Sequence, residues 1–330
     1  MAKTAEQIAN DLNLSVTTVR LVLNGKAEQY RISVKTQNRI NEHVERYGYM
    51  LNHSARSLKL NRTDTFGLIV PNISNVFFAT LAEKLELCCR CSGYQLMLSC
   101  SYNDVDYENQ LVHALMARSV DGLFIAPSSP ENQQHHLRQV KKPLVLLDRT
   151  FRFTDNALVE SNNLLGGEML TQSLLDTGRT PVFFLVGDTG LPSIGDRLNG
   201  YLKTLNKAGI THRNWVIEGP DNTQDGGYRL MEKLINEHGK PQAIIASSLP
   251  VLEGAVISIR NHFGIIPPDI NIGTFDEHPM LGFLENNVWS MQQDENIWAK
   301  KAFDMMMSAI KGQPVKETVK VEMKLIKRVR

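Results

Sequence analysis

TAEQIANDLNLSVTTVRLVLN, residues Thr4 to Asn24, reads as two short helices joined by a tight turn. Thr4 is placed to cap the first helix, and Gln7 three residues on closes a capping box. Ile8, Ala9 and Leu12 recur at helical spacing and form one apolar stripe. Asn13 stands where the turn needs a residue tolerant of positive φ. Ser15 then caps a second helix, whose inner face is Val19, Val22 and Leu23 and whose outer face is Val16, Thr17 and Arg20. Such an outer face is small and polar enough to enter a DNA major groove. The spacing fits a helix-turn-helix, and on spacing alone it fits an ordinary αα-hairpin equally well.

Outward from this stretch, Gly25 to Arg31 is a polar, partly basic loop. Ser33 caps a third helix with Ile40, Val44 and Tyr47 on its buried side, which completes a three-helix headpiece over residues 1–50. Residues 51–62 form a linker. The surrounding run YMLNHSARSLKL (Tyr49–Leu60) is helix-compatible but too short and polar to be stable alone. The net charge of +1 conceals an asymmetry: residues 1–62 carry ten Lys/Arg against five Asp/Glu, and the other 268 carry 26 against 30. A basic head on a mildly acidic body suits a nucleic-acid reader carried by a larger domain.

From Thr65 the texture changes. Phe66-Gly67-Leu68-Ile69-Val70-Pro71 is a continuous apolar run ending at a turn, as expected of a buried parallel strand. Strand and helix patterns then alternate as far as Phe275, which specifies α/β architecture with doubly wound parallel sheets and right-handed crossovers. The length fits two such sheets, one per lobe, within residues 63–330. In these sheets ligands bind beyond the carboxyl ends of the strands. Cys88, Cys89, Cys91 and Cys100 crowd into one segment without the two separated pairs of a zinc site, and small-residue core packing is the favoured reading over redox or metal chemistry. No apolar run reaches spanning length and the N-terminus opens on a polar helix, so a cytoplasmic protein is expected. His135-His136 reads as a solvated helix face, and Gly187-Asp188-Thr189-Gly190 as a strand-end loop. No nucleophile elbow, P-loop, HExxH or dinucleotide fingerprint follows a strand, so neither catalysis nor a cofactor nor a metal is indicated.

Headpiece, linker and two-lobed body together resemble the lactose/galactose-repressor family of bacterial transcription regulators. The most specific points are VTTVRLVLNG, the linker's ARSLK, Asn162-Asn163-Leu164-Leu165-Gly166 against the family's D-N-x-x-G, and Asp196-Arg197-Leu198-Asn199-Gly200-Tyr201 against its E-R-x-x-G-Y. Phe275-Asp276-Glu277 and Gln292-Gln293-Asp294 match positions at the inter-lobe crossings. LNGKAEQYRIS, HARSL and MQQDEN resemble the sucrose and fructose repressor branch. The resemblance implies a fold of helix-turn-helix headpiece, hinge helix and periplasmic-binding-protein-like core. Lobe 1 would take residues 63–160 and 291–318, and lobe 2 residues 161–290 and 319–330.

Carried over residue by residue, Val16, Thr17 and Arg20 would face base edges, with Arg20 bidentate on a guanine or, alternatively, on a phosphate. Thr18, Asn24, Tyr30 and Arg31 would touch phosphate or position the recognition helix, with Thr4 and Ser15 at the helix caps. Asn52, Ser54, Ala55 and Leu58 match the family's hinge helix, where Leu58 would wedge between base steps of the minor groove. The family usually has proline before the hinge asparagine; this chain has Leu51. Strand ends and crossings supply the implied effector cleft: Phe77 or Phe78 against a sugar face, with Ser128, Arg149, Asn162, Ser193, Arg197, Ser248, Asp276 and Gln293 around it. Arg149 and Arg197 would clamp a phosphate from opposite lobes while Asp276 and Asn162 hold hydroxyls. Many relatives have Asn-Asp at Ser247-Ser248 and Asp-Asn at Asn162-Asn163; the two lost carboxylates leave room for an anion. The implied partners are palindromic operator DNA, a second copy in a homodimer, and fructose 1-phosphate or fructose. The competing reading is a cytoplasmic sugar-binding or sugar-modifying protein whose N-terminal helices dock a protein partner.

Overall fold

The computed structural model describes residues 2–50, 62–151, 156–211 and 214–329. The chain divides into two compact units, Met1–Thr63 and Asp64–Arg330. In the first, α1 (Ala5–Leu12), α2 (Val16–Leu23) and α3 (Val34–Tyr47) start where the caps dictate. The Thr4 hydroxyl accepts from the Gln7 N–H and the Gln7 side chain returns to the Thr4 N–H, closing the capping box. Asn13 ends α1 at φ 51°, and the Ser15 and Ser33 hydroxyls accept from Thr18 and Thr36 N–H groups. Ile8, Ala9, Val19 and Ile40 form the centre of a small core, with Val22, Leu23 and Val44 packed around it. Tyr47, expected on the buried side, is 38% exposed; its ring lies against His43 and under the Lys3 ammonium.

The second unit carries two six-stranded sheets. Lobe 1 is built from β1 (Thr65–Val70), α4 (Val76–Cys91), β2 (Gln95–Cys100), α5 (Val105–Ala117), β3 (Gly122–Ile125), α6 (Pro130–Gln139), β4 (Leu144–Leu147) and β5 (Leu158–Ser161). Lobe 2 follows as α7 (Asn163–Leu175), β6 (Val182–Val186), α8 (Pro192–Lys207), β7 (Val216–Glu218), α9 (Gln224–His238), β8 (Ala243–Ala246), α10 (Leu249–Phe263), β9 (Asn271–Phe275) and β10 (Val288–Gln292). The chain then returns to lobe 1 as α11 (Glu295–Ile310) and β11 (Thr318–Val321) and ends in lobe 2 with β12 (Lys324–Arg328). Sheet orders are β11-β5-β4-β3-β1-β2 and β12-β10-β9-β8-β6-β7, the same pattern twice, parallel throughout except where β12 runs antiparallel to β10. Strands β1, β3, β6, β8 and β9 are buried on both faces because helices cover both.

Strand pairing moves two crossings from their expected places. β10 pairs with β9, so the chain stays in lobe 2 through Gln292; β11 pairs with β5, so it stays in lobe 1 through Val321. His136, expected on a solvated face, is 1% exposed: α6 turns it inward, where its Nε2 lies 2.7 Å from the buried Glu108 carboxylate. Cys89 does sit in the lobe 1 core, where burial pushes its thiol up to about 12, whereas Cys91 is exposed. The four cysteines are free.

The two family-like motifs lock α7 to α8. Asn163 Oδ1 accepts from Arg197 Nε at 2.8 Å. A Cβ on Gly200 would stand 2.3 Å from the Leu164 carbonyl, and one on Gly167 2.4 Å from the Arg197 carbonyl, so the helix backbones touch where only glycine fits. Tyr201 is fully buried and donates to the Val182 carbonyl at 2.7 Å, tying α8 to the start of β6. This backbone contact sets where Arg197 projects.

Candidate functional site

The strand ends of both lobes open on one cleft of about 350 Å³. Eight of the ten residues expected there line it: Phe77, Phe78, Arg149, Ser193, Arg197, Ser248, Asp276 and Gln293. The other two are placed elsewhere. Asn162 is the N-cap of α7, its Oδ1 accepting from Leu165 N–H and its Nδ2 donating to Glu322. Ser128 is bound by the buried Glu108, whose carboxylate accepts from the Ser128 hydroxyl at 2.5 Å and its N–H at 2.7 Å. Capping in one case and a buried carboxylate in the other consume the groups a ligand would use.

Two aspartates mark equivalent places in the two lobes. Asp148 follows β4 and Asp276 follows β9, the third strand of each sheet order, and both adopt left-handed φ, 62° and 72°. Non-glycine residues held there are sparsely populated and concentrate at binding sites, where surrounding contacts hold the backbone in place. Asp148 is 7% and Asp276 6% exposed. Burial pushes the Asp148 carboxyl above its usual range, against the opposing pull of Arg149 and Arg197. Ser193, from α8 of lobe 2, donates to Asp148 of lobe 1 at 3.3 Å, and Gln293 Nε2 donates to Asp276 Oδ1 at 2.6 Å.

The two arginines are not equivalent. Arg197 is committed: Nη1 donates to the Ser247 carbonyl at 2.8 Å, Nε to Asn163, and the guanidinium lies 4.4 Å over the Phe275 ring. Arg149 is buried, and that burial pushes its guanidinium down from the ordinary value. Nη1 donates to Asn103 Oδ1 at 2.7 Å, but Nε has no hydrogen-bond partner and stands 3.8 Å from Asp148. An arginine stays charged under such conditions, so its open N–H calls for an acceptor. The Ser248 hydroxyl is likewise buried and unpartnered, at the N-terminus of α10, where it makes no capping bond. Two donors, a helix N-terminus and two carboxylates therefore face the same space.

The cleft also takes in Asn103, Asp148, Asp188, Asp221 and Asn222, which the sequence reading did not place there. Asp188 and Asp221–Asn222 follow β6 and β7, so the strand-end rule applied to every strand would have found them. Tyr102 and Asn103, at φ 55° and 58°, depend on a loop conformation that carries no residue signature. Among the described residues no group of three or more His, Cys, Asp or Glu is placed to hold a metal ion.

In the headpiece, Thr17, Arg20, Asn24, Tyr30 and Arg31 are exposed, while Val16 is partly buried against the small core. Thr4, Ser15 and Thr18 are engaged in capping, with the Ser15 and Thr18 hydroxyls 2.8 Å apart. Arg20 projects from α2 and pairs with Glu6 of α1. Asn52, Ser54, Ala55 and Leu58 lie outside the described residues.

Residues 66–314 match the family described as periplasmic binding protein domain. Over 312 residues the chain is 31% identical to the sucrose operon repressor of Klebsiella pneumoniae, covering 94% of this chain and 93% of that one. The chain belongs to the lactose/galactose-repressor (LacI/GalR) family of transcription regulators. Among solved structures, the Cra transcriptional dual regulator from Pseudomonas putida in complex with fructose 1-phosphate superposes with a TM-score of 0.73 at 26% identity, covering 82% of this chain and 100% of that one. The lac repressor dimer bound to operator and an anti-inducer has the same fold over 99% of this chain and 98% of its own, with a TM-score of 0.87 at 20% identity. The family's architecture thus spans headpiece and core alike. No helix among the described residues is long and apolar enough to cross a membrane.

Proposed function

We propose that this LacI/GalR-family regulator is a repressor of a sucrose or fructose utilisation operon. A homodimer binds palindromic operator DNA through its paired headpieces and hinge segments, in the cytoplasm, and a fructose-type sugar phosphate releases it. The observation that carries the ligand assignment is the pair of unpartnered buried donors, Arg149 Nε and Ser248 Oγ, sharing one cleft with Asp148 and Asp276. Carboxylates accept hydrogen bonds from sugar hydroxyls, and an open guanidinium N–H with a helix N-terminus suits a phosphate. The fructose 1-phosphate complex of P. putida Cra supports the same choice of ligand, and the similarity to the sucrose operon repressor of K. pneumoniae supports the operon assignment. Free fructose is the next candidate. No catalytic step, cofactor or metal belongs to this reading.

Calorimetric titration of the full-length protein with fructose 1-phosphate, fructose and sucrose tests it. Saturable binding of fructose 1-phosphate that Arg149→Ala strongly weakens is expected. Fructose bound as tightly as its phosphate removes the anion assignment, and no binding by any of the three removes the fructose assignment.

A further inference from the structure

The Asp276–Gln293 pair does not end at the cleft. Gln293 Oε1 accepts from the Ser161 hydroxyl at 2.6 Å, and Ser161 Oγ in turn accepts from the Trp298 indole N–H at 3.0 Å. Trp298 is fully buried, Gln293 2%, Ser161 4% and Asp276 6% exposed. Every hydrogen bond of this relay runs in one direction. The Asp276 carboxylate can only accept and the indole N–H can only donate, so between them the Gln293 NH₂ faces Asp276 and the Ser161 hydroxyl donates to Gln293 Oε1 while accepting from Trp298. The Gln293 amide is thus held between the Ser161 donor and Asp276 Oδ1, which leaves Asp276 Oδ2 for another donor. The relay also spans the lobes. Ser161 closes β5 and Trp298 lies on α11, both of lobe 1, whereas Asp276 follows β9 of lobe 2, and Gln293 sits on the crossing between them. At its base the Trp298 ring meets the Phe77 ring edge-on, centroids 5.3 Å apart, and Phe77 lines the same cleft.

We infer that Ser161 and Trp298 are positioning residues for effector binding: from lobe 1 they orient the Gln293 amide, and through it the Asp276 carboxylate that receives a ligand hydroxyl from lobe 2. This rests on the effector reading of the cleft. The relay serves the hydroxyl-binding side, away from the Arg149 and Ser248 donors assigned to an anion. Loss of one link lets the Gln293 amide turn, and Asp276 is then presented in more than one orientation.

The test uses the full-length protein and calorimetric competition with two probes, fructose 1-phosphate and inorganic phosphate. Ser161→Ala removes both hydrogen bonds of the hydroxyl, Trp298→Phe removes only the indole's, and Ser161→Thr keeps the hydroxyl. Binding of fructose 1-phosphate is expected to weaken about tenfold in the first two, in line with loss of a buried hydrogen bond, and to stay near wild type in Ser161→Thr. Inorganic phosphate affinity is expected to stay unchanged in all three. Unchanged fructose 1-phosphate affinity in Ser161→Ala overturns the inference, as does an equal loss for inorganic phosphate, which marks general disruption. Ser161→Ala, the smaller change, decides if Trp298→Phe lowers the melting temperature. A wild type that binds no fructose 1-phosphate overturns the effector reading itself and the inference with it, an outcome distinct from a binding wild type with indifferent variants.

Discussion

Arg149 is the residue on which the proposed anion site rests, because it is buried, charged and incompletely bonded. Its neighbour Asp148 is too far from Nε for a strong hydrogen bond, at 3.8 Å, and is itself pushed toward its neutral form by burial. An anion placed against Nε completes the site. Arg149→Ala is therefore expected to weaken fructose 1-phosphate binding by about 30-fold or more, the scale of a truncated buried charge contact, and to leave effector-free DNA affinity unchanged. Calorimetry and anisotropy on the same preparations check both halves. In the headpiece, Arg20→Ala is expected to cost about 1–3 kcal/mol of operator binding if the guanidinium reads a guanine, and to relax preference at one base pair. Circular dichroism verifies that the headpiece remains helical. A uniform loss across all sequences, with a shallower salt slope, would instead make Arg20 a phosphate contact.

At the scale of elements, the glycine contacts between α7 and α8 and the strand β5, held between β11 and β4, give separate tests. Gly200→Ala brings a methyl against the Leu164 carbonyl, a backbone atom that cannot swing aside. A loss of about 1–3 kcal/mol in urea unfolding is expected, with weaker effector binding because α8 carries both Ser193 and Arg197. Glu160, on β5, is raised chiefly by burial, with Lys320 of β11, 3.2 Å away, pulling it back. A carboxyl raised in the folded state favours folding at low pH, and that contribution fades as pH rises through its folded value. Glu160→Gln is accordingly expected to raise the melting temperature by about 1–3 °C at pH 7, from a fraction of a kcal/mol, and to change it little at pH 4. A larger gain at pH 4 would contradict the assignment.

The same elements divide what the sequence could reveal from what it could not. Caps are local, so Thr4, Ser15 and Ser33, whose side chains accept from N–H groups three residues on, and Asn13, which ends α1 at left-handed φ, were readable directly. Buried strands were readable as apolar runs. α6, PENQQHHLRQ, was not, because its buried face is polar: Asn132 and His136 bond to the buried Glu108 carboxylate, and Gln133 accepts from the Phe151 N–H. Hence the misplacement of His136 and Ser128. Strand-end positions led to most of the cleft, but the commitment of Asn162 Nδ2 to Glu322 and of Arg197 to Asn163 and Ser247 depends on partners distant in sequence.

On the scale of the whole molecule, two lobes with one repeated strand order place Asp148 and Asp276 across a shared cleft, and Ser193 of lobe 2 reaches Asp148 of lobe 1. A ligand contacting both aspartates binds the closed arrangement better than the open one. It shifts DNA affinity by that difference and no more. A modest differential of about 3 kcal/mol corresponds to roughly 150-fold in operator affinity, ample for release. The most direct measurement is fluorescence anisotropy of the full-length protein on a duplex enriched by the protein itself from a random library. It is run at one fixed salt concentration, with and without fructose 1-phosphate, because phosphate contacts make affinity steeply salt-dependent. Specific binding that fructose 1-phosphate reverses, and that it fails to reverse in Arg149→Ala, is the predicted result. Specific binding equally tight with and without the sugar phosphate would contradict the effector assignment, and enrichment of no sequence above random DNA would contradict the regulator itself.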